Sequence, residues 1–331
     1  MKHDHHHSGV IAGDIAIVIG CVGALALALA TALFLLCRKR RHIEDTSDDT
    51  SITAMLQVRP IPLTDIELAT DGFHRARIVG KGRFWTVYKA VSSTGHVFAV
   101  KRVHPSLVLS NPGLSFSSKI KSLSFADHPN VVPVLGYSEA PGERIILTEY
   151  VDMKSLEAYL HGTTSDGKPL SWLLNWSLRV RIAAGAARGV EHLHGVTVLG
   201  IMHGCIKASN VMVDVNYVAR VCDYGLAFLL GPGSNVCVED DVYAFGLVLL
   251  ELLSGRRCED EGKVVEWALT LIRESRVEEL LDPRIAVPLD GRALARMAKV
   301  ASACVGNGRK SRPSMAQVAA ILSSLELQPC V

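Results

Sequence analysis

His203-Gly204-Cys205-Ile206-Lys207-Ala208-Ser209-Asn210-Val211, followed after one short β-hairpin by Val221-Cys222-Asp223-Tyr224-Gly225-Leu226-Ala227, is the stretch on which the reading of this 331-residue chain turns. The chain on its two sides has different periods. Ahead of it, Ile78 to Val91 and Gly95 to Val103 alternate apolar and polar residues, rich in β-branched and aromatic types, with Ser92-Ser93-Thr94-Gly95 between them. That pattern predicts a hairpin. From Lys154 onward the period becomes helical: Leu178 to His194, Val242 to Leu253, Val264 to Arg273, Arg292 to Cys304 and Met315 to Leu325 place apolar residues three and four apart. Strands first and helices after predict an α+β fold of two lobes, β-rich then helical. The folded body is expected to open near Leu63, where Thr64 and Glu67 have the spacing of a capping box and predict a short helix.

Working outward, Gly80-Lys81-Gly82 precedes Val87-Tyr88-Lys89-Ala90, and glycines at a strand end let backbone N–H groups approach phosphates with no Cβ in the way. Phe98-Ala99-Val100-Lys101 follows on the next strand, at a spacing that suits a hairpin covering a nucleotide. Downstream come Asp241-Val242-Tyr243-Ala244-Phe245-Gly246 and Arg312-Pro313-Ser314-Met315. With these motifs in order over residues 63 to 327, the chain resembles the protein-kinase family. Within it, the chain is similar to plant receptor-like serine/threonine kinases, whose domains often open with a segment like Ile66-Glu67-Leu68-Ala69-Thr70-Asp71-Gly72-Phe73.

The resemblance implies ATP and Mg²⁺ as cofactors. It places Gly80, Gly82 and Val87 in the loop over the nucleotide, Lys101 on its α- and β-phosphates, Asn210 on a second metal ion and Asp223 on Mg²⁺. Thr148 takes the place of the residue at the back of the nucleotide pocket, with residues 149 to 151 as the hinge between an N-lobe of about 63 to 150 and a C-lobe of about 151 to 327. Asp241 takes the place of the aspartate that supports the catalytic-loop backbone.

Four departures cut against that chemistry. The family's catalytic loop reads His-Arg-Asp, its aspartate accepting the proton of the substrate hydroxyl; here the positions hold His203, Gly204 and Cys205, with Lys207 nearby, and no Asp or Glu lies between Glu191 and Asp214. A general base is worth about 10² to 10⁴ in rate. The family's first large helix should give a glutamate to the strand lysine; Lys119 stands there, and residues 102 to 126 contain no acid at all. Like charges near 4 Å repel by about 4 kcal/mol at an effective dielectric of 20, so the helix is expected to swing out or to turn Lys119 to solvent. Trp85 replaces the third glycine of the loop, where an indole would prop the loop up or fill the pocket. Only seventeen residues separate Asp223 from Asp241, with no Ala-Pro-Glu and only Tyr224 and Ser234 as hydroxyl side chains. Arg312, which in the family pairs with that glutamate, is left to Glu239 or Asp240. Together these losses predict a pseudokinase with no intact catalytic set; a slow kinase using Lys101, Asn210 and Asp223 is the alternative.

The N-terminal part points to a membrane. Ile15 to Cys37 is 23 residues without a charge, about 34 Å as a helix against a hydrocarbon core of about 30 Å. Arg38, Lys39, Arg40 and Arg41 follow, whereas the fourteen residues before the run carry only Lys2, Asp4 and Asp14 as full charges. The positive-inside rule then predicts a single-pass protein with everything after residue 37 in the cytoplasm, and the family resemblance implies the plasma membrane. The expected organisation is a short extracytoplasmic segment (1–14), a transmembrane helix (15–37), a juxtamembrane linker (38–62) and the kinase-like domain (63–327). Fourteen outer residues are too few for a ligand-binding ectodomain, so an active receptor kinase is the expected protein partner. Gly20, Ala24, Ala28 and Ala32 form a small-residue stripe on which two such helices can pack; an alanine-rich anchor without a partner is the simpler reading of the same stripe.

Charge and cysteines exclude other classes. With 35 basic against 33 acidic residues and a net charge of +2, the chain has no global field for nucleic acid, and no arginine-rich stripe interleaves with aromatics. Its eight cysteines form no C-x-x-C pair, so neither a disulfide framework nor a zinc module is expected.

Overall fold

The structure is a computed structural model that describes residues 58–110, 115–150, 152, 154–163, 173–195, 200–230 and 236–327. The expected transmembrane helix, the basic collar and most of the linker lie outside the described residues. Among those described, no helix is long and apolar enough to cross a membrane.

The N-lobe is a six-stranded sheet built from β1 (Arg59–Pro60), β2 (Ile78–Lys81), β3 (Trp85–Val91), β4 (Val97–Val103), β5 (Val134–Ala140) and β6 (Glu143–Glu149), in the order β1-β5-β6-β4-β3-β2. β1 pairs parallel with β5 and lies in the stretch read as linker. The predicted hairpin is β3–β4, with Val87 opposite Lys101; Gly95 at its turn has φ +84°, a conformation glycine adopts without strain.

Helix α1 (Leu63–Ala69) begins one residue before the predicted cap: Pro62 is its N-cap and makes no side-chain capping bond. Thr64 is already inside the first turn, so the expected capping box with Glu67 is not formed. Ile66 and Ala69 bury against Tyr88, Ala90, Val100, Ile145 and Leu147, a small core on the outer face of the sheet. On the other face lies the main core, reached from the strands by α2 (Pro105–Ser110) and α3 (Phe116–Leu123).

The C-lobe holds α4 (Leu156–His161), α5 (Trp176–Gly195), α6 (Val238–Ser254), α7 (Glu261–Arg273), α8 (Gly291–Cys304) and α9 (Met315–Glu326). Each of the five predicted helical stretches falls on one of the last five. A small sheet of β7 (Lys154–Ser155), β8 (Val211–Val213) and β9 (Ala219–Val221) carries the predicted short hairpin as β8–β9.

What sets the hairpin in place is the apolar, small-residue face of α5. Gly189 lies so close to the chain ahead of β5 that an added Cβ would stand 2.4 Å from the carbonyl oxygen of Asn130. Asn130 in turn donates from Nδ2 to Ala219 O at 2.7 Å, and its own carbonyl accepts from Val221 N at 2.9 Å. Val132 N returns a bond to Val221 O at 2.9 Å. The segment entering the N-lobe sheet and the strand leading into Asp223 are thereby stitched into one backbone ladder.

Candidate functional site

A cleft of about 430 Å³ opens between the sheet and the small hairpin sheet. Gly80, Val87, Lys101, Thr148, Glu149 and Asp223, all singled out in the sequence, line it, together with Val79, Ala99, Val132, Met212 and Cys222. Ala99 was legible in principle, since it shares a face with Lys101 two residues along β4. Met212 and Cys222 reach the cleft only through the pairing of β8 with β9, which no local pattern announces. Gly82 and Asn210 do not line it. Gly82 donates its N–H to Trp85 O at 2.9 Å, and its carbonyl oxygen accepts from His104 Nε2 at 3.0 Å.

At one end of the cleft Lys101 and Asp223 form a direct ion pair, both side chains largely buried. Burial pushes the Lys101 ammonium down, but Asp223 outweighs it and holds the group above its ordinary value. Asp223 sits at φ +64°, a left-handed conformation uncommon for a non-glycine residue and frequent at functional sites. Two residues on, Gly225 at φ +67° sends its N–H to His203 O at 3.0 Å, and a Cβ there would stand 2.3 Å from Leu123. The turn after Asp223 is thus pressed directly against α3.

Helix α3 offers Lys101 no acid. Its buried face is Phe116, Ile120 and Leu123, while Lys119 is exposed. Of the two outcomes expected for like charges, the chain takes the solvent-facing one. Trp85 does not line the cleft: its indole is 5% exposed and packs in the main core, with the Lys101 ammonium 6.0 Å from the ring centroid. The alternation of β3 puts it on the inner face with Val87, one step beyond the cleft, where it faces Val103 across the hairpin. A cation near an indole face is attracted to it, so the aromatic ring and Asp223 together accommodate the lysine that has lost its glutamate.

The loop at 203–210 is held by Asp241. Its Oδ2 accepts from His203 N at 2.6 Å and its Oδ1 from Gly204 N at 2.8 Å, and His194 Nε2 lies 2.9 Å from Oδ2. The support expected of Asp241 is therefore present in the geometry, although what it supports carries no carboxylate. Cys205 is half-buried, and burial pushes its thiol up; Lys207 pulls it partly back, and Asp223 adds to the rise. It stays protonated at neutral pH. His203, 1% exposed, is pushed down by burial and stays neutral.

Asn210 donates from Nδ2 to Cys205 O at 2.8 Å, which leaves its carbonyl oxygen as an acceptor beside the Asp223 turn. Two hard oxygen donors of this kind fit Mg²⁺ held together with substrate phosphates, and apolar walls from Val79, Val87, Ala99 and Met212 fit a planar base. The hinge is braced by Arg220, whose guanidinium binds both carboxylate oxygens of Glu149 at 2.7 and 3.0 Å.

Arg312 finds neither predicted acid. Its Nη1 donates to the backbone carbonyl of Glu239 at 2.8 Å, and its guanidinium lies 4.7 Å from the Tyr243 ring centroid. Asp240 is taken instead by Arg309 at 2.5 Å. The residue after Asp223 is also informative: Tyr224, buried, donates its hydroxyl to Val132 O at 3.2 Å.

These features are those of a kinase fold with altered chemistry, and the family model "Protein kinase domain" matches residues 73–240. The chain belongs to the protein kinase family. It is 35% identical over 265 residues to the serine/threonine-protein kinase-like protein CCR2 of Arabidopsis thaliana, covering 78% of this chain and 33% of that protein. It is 32% identical over 326 residues to the proline-rich receptor-like protein kinase PERK3 of the same plant, covering 88% and 62%. The chain thus spans between a third and somewhat under two thirds of the length of these relatives. Among solved structures it is similar to the pseudokinase domain of BIR2, an immune regulator of the RLK/Pelle family, with 29% identity and a TM-score of 0.67 over 80% of this chain and 86% of that one. It is likewise similar to the pseudokinase DRIK1 bound to ENMD-2076, with 28% identity and a TM-score of 0.65 over 82% and 98%.

Proposed function

We propose that this protein is a membrane-anchored pseudokinase that acts in signalling as a scaffold or allosteric partner of active receptor kinases. The observation that carries the reading is the loop anchored by Asp241: it is built and held as in a working kinase, yet presents a protonated Cys205 thiol where a carboxylate must take the substrate proton. Phosphoryl transfer rests on positioning and electrostatics, and here the base, the helix acid beside Lys101 and the segment between Asp223 and Asp241 depart together. Similarity to two proteins named as pseudokinases supports the same reading. The uncharged run 15–37 with its basic collar supports a single-pass anchor in the plasma membrane, the fold facing the cytoplasm, and tethering raises the effective concentration of a partner in the same plane. The small-residue stripe supports a homodimer through that helix.

The test is genetic and biochemical at once. A chain carrying Lys101→Met and Asp223→Ala is returned to a plant or cell lacking the gene; restored signalling supports the scaffold. Failure of that chain, with transfer of phosphate to a test protein by the natural one, overturns it.

A second reading, a slow serine/threonine kinase, is favoured by the retention of Lys101 and Asp223 at the cleft with Asn210 beside them. Asp223 and Asn210 would hold Mg²⁺, which when bound would supply positive charge against the nucleotide phosphates, and Lys101 would leave Asp223 for the α- and β-phosphates. A melting-temperature rise with ATP that needs Mg²⁺ and is lost in Asp223→Ala sustains this reading. No rise at millimolar nucleotide removes it.

A further inference from the structure

A second cavity of about 510 Å³ lies between α6, α7 and the turn that follows α8. Its floor is apolar, formed by Val265, Leu269 and Val305, the last two buried. Its rim is rich in donors: Arg312, Arg273 and Asn307 stand against one carboxylate, Glu266.

Arg312 is the unusual member. Its Nη1 bonds to Glu239 O at 2.8 Å, its Nε reaches Gly306 O at 3.3 Å, and its plane lies over Tyr243. Carbonyls and an aromatic face orient the guanidinium without neutralising it, and among the described residues no carboxylate pairs with it. Arg309, three residues earlier, shows the contrast, since it is paired with Asp240. A half-buried, pre-oriented guanidinium with an uncompensated charge matches a carboxylate, which it can bind with two parallel hydrogen bonds. The Glu266 carboxylate on the same rim repels a dianion more than a monoanion, which favours a carboxylate over a phosphate. The volume lies within the range of small-ligand sites, enough for two or three side chains, and the floor asks for an aliphatic one.

We propose that this cavity is a docking socket for an acidic peptide segment of a partner protein, with a Glu or Asp side chain on Arg312 and a neighbouring aliphatic side chain on the Val265, Leu269 and Val305 floor. The inference deepens the scaffold reading and takes its biological sense from it. Its site is separate from the nucleotide cleft and its test reads binding alone, so failure here leaves the genetic test above standing.

The full 331-residue chain in detergent micelles is titrated with two sets of fluorescein-labelled hexapeptides, identical except for a central Leu-Glu or Leu-Gln. The Leu-Glu set is expected to bind at least about tenfold tighter. Arg312→Gln should erase that preference, and Arg312→Lys should keep only part of it, since it retains the charge without the fork. Equal binding of the two sets overturns the proposal, as does an unchanged preference in Arg312→Gln at an unchanged melting temperature. Should Arg312→Gln not fold, Asn307→Asp, at an exposed rim position, reads the same point. A fall of about tenfold in Leu-Glu binding supports the socket, and unaltered binding overturns it. Retention of inorganic phosphate without retention of the Leu-Glu set also overturns it.

Discussion

Two buried ion pairs in this molecule are built on opposite principles. In the C-lobe, Arg179 and Asp282 are 1% and 2% exposed, and every arm of the guanidinium is used: Nη2 to Asp282 Oδ2 at 2.6 Å, Nη1 to Leu252 O at 2.7 Å, Nε to Leu174 O at 2.9 Å. Arg284 adds its backbone N–H and side chain to the same carboxylate. In the cleft, Lys101 meets Asp223 through one contact, beside an open cavity and an indole. A buried charge is tolerable only when paired and hydrogen-bonded. The first pair meets that condition with bonds to spare and ties α5 to α6 and to the segment after α7. The second meets it with a single bond that a nucleotide or a cation could replace. One pair is a fastening, and the other is a contact poised for exchange.

The largest effect should follow from breaking the fastening. Asp282→Ala leaves the Arg179 guanidinium buried with no carboxylate, which is expected to cost about 3–5 kcal/mol, read as a drop in the urea midpoint with little change in slope. An equal loss on replacing Lys101 would erase the distinction drawn above.

For the cleft pair the expected cost is smaller. Lys101→Met is expected to destabilise by about 1–2 kcal/mol, because Asp223 keeps 15% of its side chain in contact with solvent. Adding Asp223→Asn should recover much of that loss, since the uncompensated charge is then gone. A double-mutant cycle on Arg179 and Asp282 provides the reference, where coupling is expected to be larger.

Acid separates the pairs further. Burial alone would raise the Asp282 carboxyl, yet hydrogen bonds from Arg284 and Arg179 overcome it and hold the group at about 2. Its folded value lies below the ordinary carboxylate value of about 3.9, so its stabilisation is fully present above about pH 4 and is lost as pH falls toward 2. That loss should be about 2 kcal/mol and absent in Asp282→Asn, as measured by urea unfolding at pH 5, 4, 3 and 2.

What the sequence showed and what it hid divide along the same line. The five long C-lobe helices and the β3–β4 hairpin carry their period in local sequence, and the ordered motifs placed Lys101 and Asp223 in one site before any coordinates. Partner choice did not follow from local pattern. Arg312 was assigned an acid and takes a carbonyl, while Arg309 takes Asp240. Trp85 was expected at the pocket and goes to the core because the strand face it shares with Val87 continues past the cleft. Thr64 was expected to cap a helix that begins two residues too early for it. The Arg312 and Trp85 misses concern where a side chain ends after long-range pairing, which motif order and periodicity do not encode.

The smallest expected effect is the most pointed. Cys205→Asp puts a carboxylate back on a loop that Asp241 already holds through the N–H groups of His203 and Gly204. If the missing base were the sole defect, restoring it would recover a factor of about 10² to 10⁴ in phosphate transfer. The surroundings argue otherwise. Lys101 would still have Asp223 and an indole in place of a helix acid, the inner face of α3 would still be Phe116, Ile120 and Leu123, and the seventeen residues from Tyr224 to Asp240 would be no longer. The new carboxylate would also lie near Asp223, whose charge already acts on Cys205, and like charges in one site disfavour ionisation of both. Transfer of labelled γ-phosphate by Cys205→Asp is therefore expected to equal that of the natural chain, and a hundredfold rise would mean that the cleft is intact apart from its base.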